Sequence, residues 1–332
     1  MQGKIRINGT IIYVTLILAF FAWAYAERMI APADYSDEAG VTVSIPKGAG
    51  TSAIADILET EGLIKSATVF KAYVKVTGKD GDLKYGKYEL APSEGVRQIV
   101  RKLVKGIQKG IKLTVPEGYT AKQIAVRVEA AGIAPYDEFM KFVEEPTDEM
   151  KAILPFSISG SLEGYLFPDT YEFVEEMGAE AAISAMLENF AEKAGAEISS
   201  YLKVDLTPEQ VVILASIVEK EALLTDELPI VAGVFLNRLK IRMALQSCST
   251  VQYVLPQQKS VLSKEDTLID SPYNTYQIQG LPPGAISNPG LKAIQAVLNP
   301  ADHDYLFFVA NGDGSHSFSK TYGEHLKAKF SN

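Results

Sequence analysis

Two glutamates, Glu219 and Glu221, follow a nearly continuous run of apolar residues over 211–218. This run predicts a helix that is buried on almost every side, and a carboxyl group at its end has its ionised form disfavoured and its pKa raised. A carboxyl group that stays protonated at neutral pH can act as a general acid. The two side chains lie about 200° apart around the helix axis, so they cannot easily share one substrate atom. Periodicity does not decide between them, and an ion pair with Arg238 or Lys220 is the structural alternative.

Segment 161–171 alternates aromatic rings with carboxylates, as in Glu163, Tyr165 and Asp169. A sugar-binding groove uses such side chains, because rings pack on the apolar faces of a sugar while polar groups bind its hydroxyls. The same residue types also suit an ordinary turn with half-buried tyrosines. Carbohydrate binding is therefore one of two interpretations of this segment.

The composition excludes several other kinds of site. The 332 residues include 32 Lys and Arg against 41 Asp and Glu, a formal net charge of −9, which argues against nucleic acid as a partner. Cys248 is the only cysteine, so the chain cannot form an internal disulfide framework or a cysteine-rich zinc site. The three histidines lack the HExxH spacing of a zinc protease, and no metal or cofactor is expected.

One further motif, Ser317–Lys320, fits the S-x-x-K pattern of penicillin-type serine enzymes. The S-D-N and K-T-G motifs that accompany this pattern are absent. The serine also lies within a predicted hairpin, so we interpret the match as a coincidence.

Capping signals predict the elements that would position the two glutamates. Segment 207–210, Thr-Pro-Glu-Gln, begins their helix with a capping box and a proline in the first turn. A second helix is predicted over 288–298, with Asn288 as its cap. Residues 304–320 predict the hairpin, which is followed by a final helix.

An internal repeat organises the first half of the chain. Residues 43–55 align with residues 113–125, so that Pro46-Lys47-Gly48 matches Pro116-Glu117-Gly118 at a distance of 70 residues. Each copy predicts a short strand, a Pro-x-Gly turn and an amphipathic helix that ends at glycine. The arrangement resembles LysM modules, which bind N-acetylated glycans, although a simple packing unit is the alternative.

Between the two copies, residues 69–76 predict a helix, residues 84–90 a strand, and residues 93–107 a second helix capped by Ser93. The second helix carries a basic stripe of Arg97, Arg101, Lys102 and Lys105. We interpret this stripe as a solvated face, with contact to anionic lipid or wall polymer as the alternative.

The start of the chain predicts a membrane anchor. Lys4 and Arg6 precede an uncharged run over 7–26, which is long enough to cross a bilayer core of about 30 Å as a helix. Positive charge on the N-terminal side places the short tail in the cytoplasm and the rest of the chain outside. A cleaved signal peptide is the alternative, because Ala24-Tyr25-Ala26 fits a cleavage site.

Together these signals predict a single-pass membrane protein of the α+β class. The expected order is a cytoplasmic tail over 1–10, a transmembrane helix over 11–29, a linker over 30–40, a LysM-like α/β module over 41–110 and a mixed α+β catalytic domain over 111–332 that includes the second repeat copy over 111–135. The catalytic domain is therefore expected on the extracytoplasmic side of the cell membrane.

Four motifs of the second half are highly specific when taken together: Glu163–Tyr171, Ala215–Glu221, Ser271–Tyr276 and Gly280–Gly284. They closely resemble the YceG-like (MltG) family of membrane-anchored endolytic murein transglycosylases. The resemblance covers the anchor, the LysM-like region and essentially all of the second half. It implies that the catalytic acid is the first glutamate of the string Ile-Val-Glu-Lys-Glu, which is Glu219. Cys248-Ser249 departs from the family, since many members have Asp-Pro there, and we interpret Cys248 as a tolerated replacement rather than a nucleophile.

The resemblance further implies a reaction in which one glutamate is sufficient. Glu219 would protonate the glycosidic oxygen of the MurNAc–GlcNAc β-1,4 bond and then accept the proton of the C6 hydroxyl of N-acetylmuramic acid, closing a 1,6-anhydro ring without water. The protein then has to supply a dry acid and neutral hydrogen-bonding groups. The predicted substrate-binding residues are Glu163, Tyr165, Gln246, Ser247, Thr250, Tyr273, Asn274, Thr275 and Tyr276.

The partners implied by the resemblance are peptidoglycan glycan strands, the cell membrane and peptidoglycan synthases beside which nascent strands would be cut. The alternative function is a non-catalytic peptidoglycan-binding scaffold of the cell-wall synthesis machinery. The two functions differ in one expectation: replacing the carboxyl group of Glu219 abolishes the activity of an enzyme but leaves a scaffold unaffected.

Overall fold

The computed structural model describes residues 9–106, 109–200 and 205–331. These residues form helices and short antiparallel strand pairs, which confirms the predicted α+β class. The chain divides into two compact units between Gly110 and Ile111. Residues 1–8 of the predicted cytoplasmic tail lie outside the described residues.

Helix α1, Gly9–Ile30, is uninterrupted and exposes most of its side chains from Tyr13 onward. Large apolar side chains such as Phe20 and Trp23 face away from the rest of the protein. Apolar surface of this extent is unfavourable in water unless another apolar phase covers it. Among the described residues, α1 is the one helix that is long and apolar enough to cross a membrane. The predicted N-terminal apolar helix is therefore present, whereas its orientation in a membrane stays a prediction.

The first unit, up to Gly110, is built around one antiparallel strand pair. Strand β1, Val41–Ile45, pairs with strand β2, Gly86–Leu90, and alternate residues of both strands are buried. The helices of this unit after α1 are α2, Thr51–Thr60, α3, Ala67–Val76, and α4, Val96–Lys105. The strand–helix–helix–strand order follows the predicted elements, but the resemblance to a LysM module is not confirmed and stays a prediction.

Helix α4 begins at Val96, three residues later than predicted. The N–H of Ser93, the predicted cap, donates instead to the carbonyl of Asp37 at 3.0 Å. The Asp34 N–H likewise donates to the carbonyl of Pro92 at 3.1 Å. The residues predicted as a polar linker are therefore hydrogen-bonded to the segment before α4, and this contact was not visible in the local sequence pattern.

The second unit, from Ile111, packs its helices around a core with two small strand pairs. Strand β3, Ile111–Thr114, pairs antiparallel with β4, Thr170–Phe173, and β5, Phe307–Ala310, pairs antiparallel with β6, His316–Ser319. The helices are α5, Ala121–Ala130, α6, Tyr136–Glu144, α7, Asp148–Ile153, α8, Ala179–Phe190, α9, Ala196–Ser200, α10, Pro208–Glu221, α11, Leu228–Lys240, α12, Cys248–Val254, α13, Leu291–Leu298, and α14, Tyr322–Ser331.

Helix α10 is the buried helix that the sequence predicts. The side chain of Thr207 accepts the N–H of Gln210, and the side chain of Gln210 accepts the N–H of Thr207 at 2.9 Å, which completes the capping box. All residues from Val211 to Val218 are buried. Because α10 packs against α11 and α13 in the core, the two glutamates at its end project from a well-supported backbone.

The hairpin and the final helix form as predicted, but α13 begins at Leu291 and has Gly290 as its N-cap residue. Asn288 does not cap this helix. Its side-chain oxygen accepts the N–H groups of Gly164 and Leu166, both at 2.9 Å. Two distant backbone donors therefore take the place of the local capping interaction that the sequence favours.

Candidate active site

Glu221 holds together the chain segments around the end of α10. Its Oε1 accepts the hydroxyls of Ser247 and Ser249 and the N–H of Ser249, so it fixes the start of α12. Arg238 donates to the carbonyls of Leu245 and Leu306 at 2.7 and 2.6 Å. The alternative, an ion pair with Arg238, is therefore not what the described residues show.

Glu219 is in a different environment. Its Oε2 accepts the N–H of Gly290 at 3.0 Å, and no ion pair within 4.0 Å joins it to a basic side chain of the described residues. The ammonium group of Lys220 instead donates to the carbonyl of Gly118 at 3.3 Å. Burial raises the pKa of the Glu219 carboxyl group, the Gly290 N–H and the charge of Lys220 lower it, and the charge of Glu117 raises it.

Glu117 is a residue that the sequence did not single out for chemistry. It lies in the turn between β3 and α5, and its carboxylate covers Gly290 so closely that a methyl group on that Cα would overlap it. The following residue, Gly118, has φ +72, and a side chain there would meet Glu219 Cγ at 3.4 Å. The turn therefore brings a second carboxylate beside Glu219. The sequence signal that could have revealed it was the Lys47/Glu117 difference between the repeat copies.

The loop over 285–290, which contributes the N–H to Glu219, is fixed to α10. The hydroxyl of Ser216 accepts the N–H of Ile286 at 3.0 Å, and the hydroxyl of Ser287 donates to the carbonyl of Ser216 at 3.1 Å. Ser216 is located one turn before Glu219 on the same helix. The carboxyl group and its donor thus share one rigid support.

Glu163, which we expected to bind substrate, is only 5% exposed. Its carboxyl group accepts the N–H of Ala121 at 2.9 Å, the amide of Asn288 at 2.9 Å and the hydroxyl of Tyr253 at 3.3 Å. Burial outweighs these donors and raises the pKa of Glu163 to about 7. In the structure this side chain holds the start of α5, and a contact with glycan stays a prediction.

Five other predicted substrate residues are also buried in the second unit. The ring of Tyr165 is 3% exposed and packs edge-on against Phe190, in the core. The hydroxyls of Thr250 and Thr275 lie 2.9 Å apart, and the amide of Asn274 donates to the carbonyls of Thr267 and Ile269. These contacts support the loops; the buried residues are Tyr165, Ser247, Thr250, Asn274 and Thr275.

The remaining three, Gln246, Tyr273 and Tyr276, keep part of their surface accessible. Gln246 is exposed and has φ 50, a left-handed conformation that is rare for a residue with a side chain. Its N–H donates to the carbonyl of Thr275 at 3.0 Å. The hydroxyl of Tyr276 lies 3.1 Å from the thiol of Cys248, the position at which the chain departs from the family motif.

The S-x-x-K motif does not form a nucleophile site. Ser317 lies on β6 and donates to the side-chain oxygen of Asn311 at 2.7 Å. Lys320 forms an ion pair with Asp304 at 3.2 Å. The serine and the lysine therefore have separate partners, which agrees with the interpretation of this motif as a coincidence.

A partly buried carboxyl group at the end of a buried helix, with no ion-pair partner among the residues that the structure describes, is typical of a general acid catalyst. The chain belongs to the YceG-like family, whose members it matches over residues 43–330. A Bacillus subtilis (strain 168) protein named endolytic murein transglycosylase is 33% identical to it over 321 residues, which cover 93% of this chain and 89% of that protein.

Two further comparisons agree with this family. A Streptococcus pneumoniae protein, also named endolytic murein transglycosylase, is 32% identical over 364 residues, which cover 98% of this chain and 66% of that longer protein. The crystal structure of a YceG-like protein from Listeria monocytogenes is 38% identical, has a TM-score of 0.60, and covers 87% of this chain and 99% of that one. The resemblance seen in the four sequence motifs is thus confirmed at the level of the family.

Proposed function

We propose that this chain is an endolytic lytic transglycosylase that cleaves the β-1,4 bond between N-acetylmuramic acid and N-acetylglucosamine and leaves 1,6-anhydro ends. Its family and its relatives named endolytic murein transglycosylase make it an enzyme of the lytic transglycosylase class, a lyase that acts on peptidoglycan. The identity of the bond and of the product rests on the chemistry of a site with a single acid.

Protonated Glu219 is the general acid of the proposed reaction. Its proton passes to the glycosidic oxygen while the bond from that oxygen to C1 of N-acetylmuramic acid breaks, and the bonding electron pair stays with the leaving oxygen. The C6 hydroxyl oxygen of the same sugar then bonds to C1 and loses its proton to the Glu219 carboxylate. No water is consumed, and Glu219 ends the cycle protonated as it began.

The observation that supports this mechanism best is the state of Glu219 itself. The carboxyl group is partly buried, has a raised pKa and, within the described part of the chain, accepts one hydrogen bond, from Gly290. A substrate can therefore take its proton without breaking a network of hydrogen bonds. Glu221 lacks this freedom because Ser247 and Ser249 occupy it. We therefore assign the acid to Glu219 and the supporting role to Glu221.

The three predicted substrate residues that remain accessible to solvent are the candidates for glycan contact. Gln246, Tyr273 and Tyr276 offer an amide and two phenols, groups that bind sugar hydroxyls and pack on sugar faces. The buried members of the predicted set position these loops. The alternative, a scaffold that binds peptidoglycan without cleaving it, needs none of the acid chemistry at Glu219.

The decisive experiment is to digest purified glycan strands with the full-length protein in detergent and to weigh the fragments. We expect internal cleavage and MurNAc ends that are one water lighter than hydrolytic ends. Glu219→Gln should reduce the rate by at least about 100-fold with the fold retained, because the amide cannot donate the acidic proton.

The matched control is Glu138→Gln, which makes the same change at an exposed position on α6. This variant should cleave like the wild type. Reducing MurNAc ends would identify a muramidase instead, and undiminished cleavage by Glu219→Gln would contradict the assignment of the acid.

A further inference from the structure

Two carboxylates meet at Gly290. The N–H of this glycine donates to Glu219 at 3.0 Å, while the carboxylate of Glu117 lies against its Cα. Glu117 is exposed, so it reaches Gly290 from the solvent side. The two acids therefore flank one backbone group, and they come from elements that are far apart in the sequence.

The fold of the turn does not require a carboxylate at this position. In the first copy of the repeat the same strand, Pro-x-Gly turn and helix are formed with Lys47 in place of Glu117. The glycine that follows has a left-handed conformation in both copies, with φ +82 at Gly48 and φ +72 at Gly118. Since Lys47 serves the turn equally well, the negative charge of Glu117 has a role other than making the turn.

We propose that Glu117 is a positioning residue of the active site, whose negative charge keeps the proton on Glu219 until the substrate takes it. This inference rests on the proposed function of Glu219 as the acid. A nearby negative charge disfavours the ionised form of a carboxyl group, so removal of Glu117 weakens the hold of Glu219 on its proton. Consistently, the charge of Glu117 raises the pKa of Glu219.

Few charged groups of the described residues lie near Glu219, and Glu117 is the anion among them. Lys220, on the same helix, acts in the opposite direction. The loop over 285–290 supplies an N–H but contains no charged side chain. Lys292, in the first turn of α13, lines a different cavity together with Glu197. Since the described residues place one cation and one anion near it, Glu219 should respond measurably to the loss of either.

The test compares the pH dependence of kcat/KM for the full-length wild type, Glu117→Gln and Glu117→Lys in detergent. The limb at high pH reports ionisation of the acid in the free enzyme. We expect Glu117→Gln to shift this limb to lower pH by about one unit, and Glu117→Lys, which copies the residue of the first repeat, to shift it further. Above the limb the Gln variant should be about tenfold slower, and well below it the variant should match the wild type.

Two controls separate charge from structure. Glu117→Asp keeps the charge and should leave the limb within a few tenths of a unit of the wild type, and Glu138→Gln should not move it. Because Glu117 is exposed, high salt should screen its charge and reduce the difference between the limb of the wild type and that of Glu117→Gln.

An unchanged limb in Glu117→Gln would overturn the proposal. Loss of activity at every pH with the fold retained would also overturn it, because Glu117 would then act on the substrate directly. The proposed function is judged separately, by the anhydro ends of the wild-type product and the inactivity of Glu219→Gln. It can therefore hold even if the inference about Glu117 fails.

Discussion

Glu219 and Glu163 are both shielded from solvent, yet their hydrogen-bond partners differ. Glu219 accepts one backbone N–H, whereas the carboxyl group of Glu163 accepts a backbone N–H, an amide and a phenol. A carboxyl group that is surrounded by donors of the protein has little capacity left for a substrate. We therefore expect Glu163 to contribute mainly to stability and Glu219 mainly to activity.

Stability should depend on pH through Glu163. Its pKa is about 7 in the folded protein against an ordinary value of 4.5, so the folded state binds the proton more tightly than the unfolded chain. The stabilising contribution is fully present below about pH 4.5 and is lost as the pH rises through 7. The free energy of unfolding should thus fall by about 3 kcal/mol over this window relative to Glu163→Gln, which cannot titrate.

Urea unfolding of the two full-length proteins at pH 5 and pH 8, followed by circular dichroism, measures this difference. The matched control is again Glu138→Gln, whose difference from the wild type should be the same at both pH values. A Glu163→Gln difference that also stays constant with pH would show that the proton on Glu163 is not coupled to folding.

The single residues show what a sequence can predict about a site. A local signal, an acid that ends an apolar helix, pointed to Glu219 and Glu221 alike, and the family resemblance then favoured Glu219 as the proposed acid. Glu117 was not singled out because its carboxylate lies against Gly290, a residue far away in the chain. The burial of Tyr165 was equally invisible, since an aromatic residue in a polar turn fits a groove and a core alike.

At the scale of elements, the segment before α12 is held in a strained conformation. Gln246 has φ 50, and its backbone is fixed there because its N–H donates to Thr275 while the N–H of Ser247 donates to the Thr275 hydroxyl at 3.0 Å. A residue with a Cβ pays about 1–2 kcal/mol in this region, whereas glycine does not. Strain that persists at an accessible position is typical of functional segments.

Gln246→Gly and Gln246→Ala separate the backbone from the side chain. Both variants lose the amide, so both should lower kcat/KM by a similar factor if the amide binds glycan. Only glycine relieves the strain, so its free energy of unfolding should exceed that of the alanine variant by about 1 kcal/mol.

Glycan cleavage assays and urea unfolding of the two variants provide both readouts. Equal stability of the two variants would show that the left-handed conformation carries no cost here. Wild-type activity in both would exclude Gln246 from the substrate contacts.

The elements also divide into those that the sequence predicts and those that it does not. The capping box at Thr207 formed as predicted, because both partners lie within one turn. The predicted caps at Ser93 and Asn288 were wrong, because each residue has a partner distant in the sequence that a local pattern does not contain. Local hydrogen bonds are thus predictable, whereas long-range hydrogen bonds need the fold.

At the scale of the whole molecule, the end of helix α1 and the segment that follows it are bound to the rest of the first unit. Glu27, near its end, forms an ion pair with Arg97 at 2.6 Å, and the Asp34 N–H donates to the carbonyl of Pro92. If α1 spans the membrane, the first unit must therefore lie close to the bilayer surface. This arrangement follows from the length of the connection and from the contacts within that unit.

Cys248 provides a direct test of the proposed topology. It is the only cysteine of the chain and is exposed in the second unit. If the second unit lies outside, a thiol reagent that crosses the wall but not the membrane should label Cys248 in intact cells, and Cys248→Ser should abolish the labelling of this protein.

The N-terminal tail is tested separately. Gln2→Cys in the Cys248→Ser background should react only after the membrane is opened, because the positively charged tail is retained inside. An intact mass that includes residues 1–26 would establish the uncleaved anchor, whereas its absence, or labelling of residue 2 in sealed cells, would contradict it.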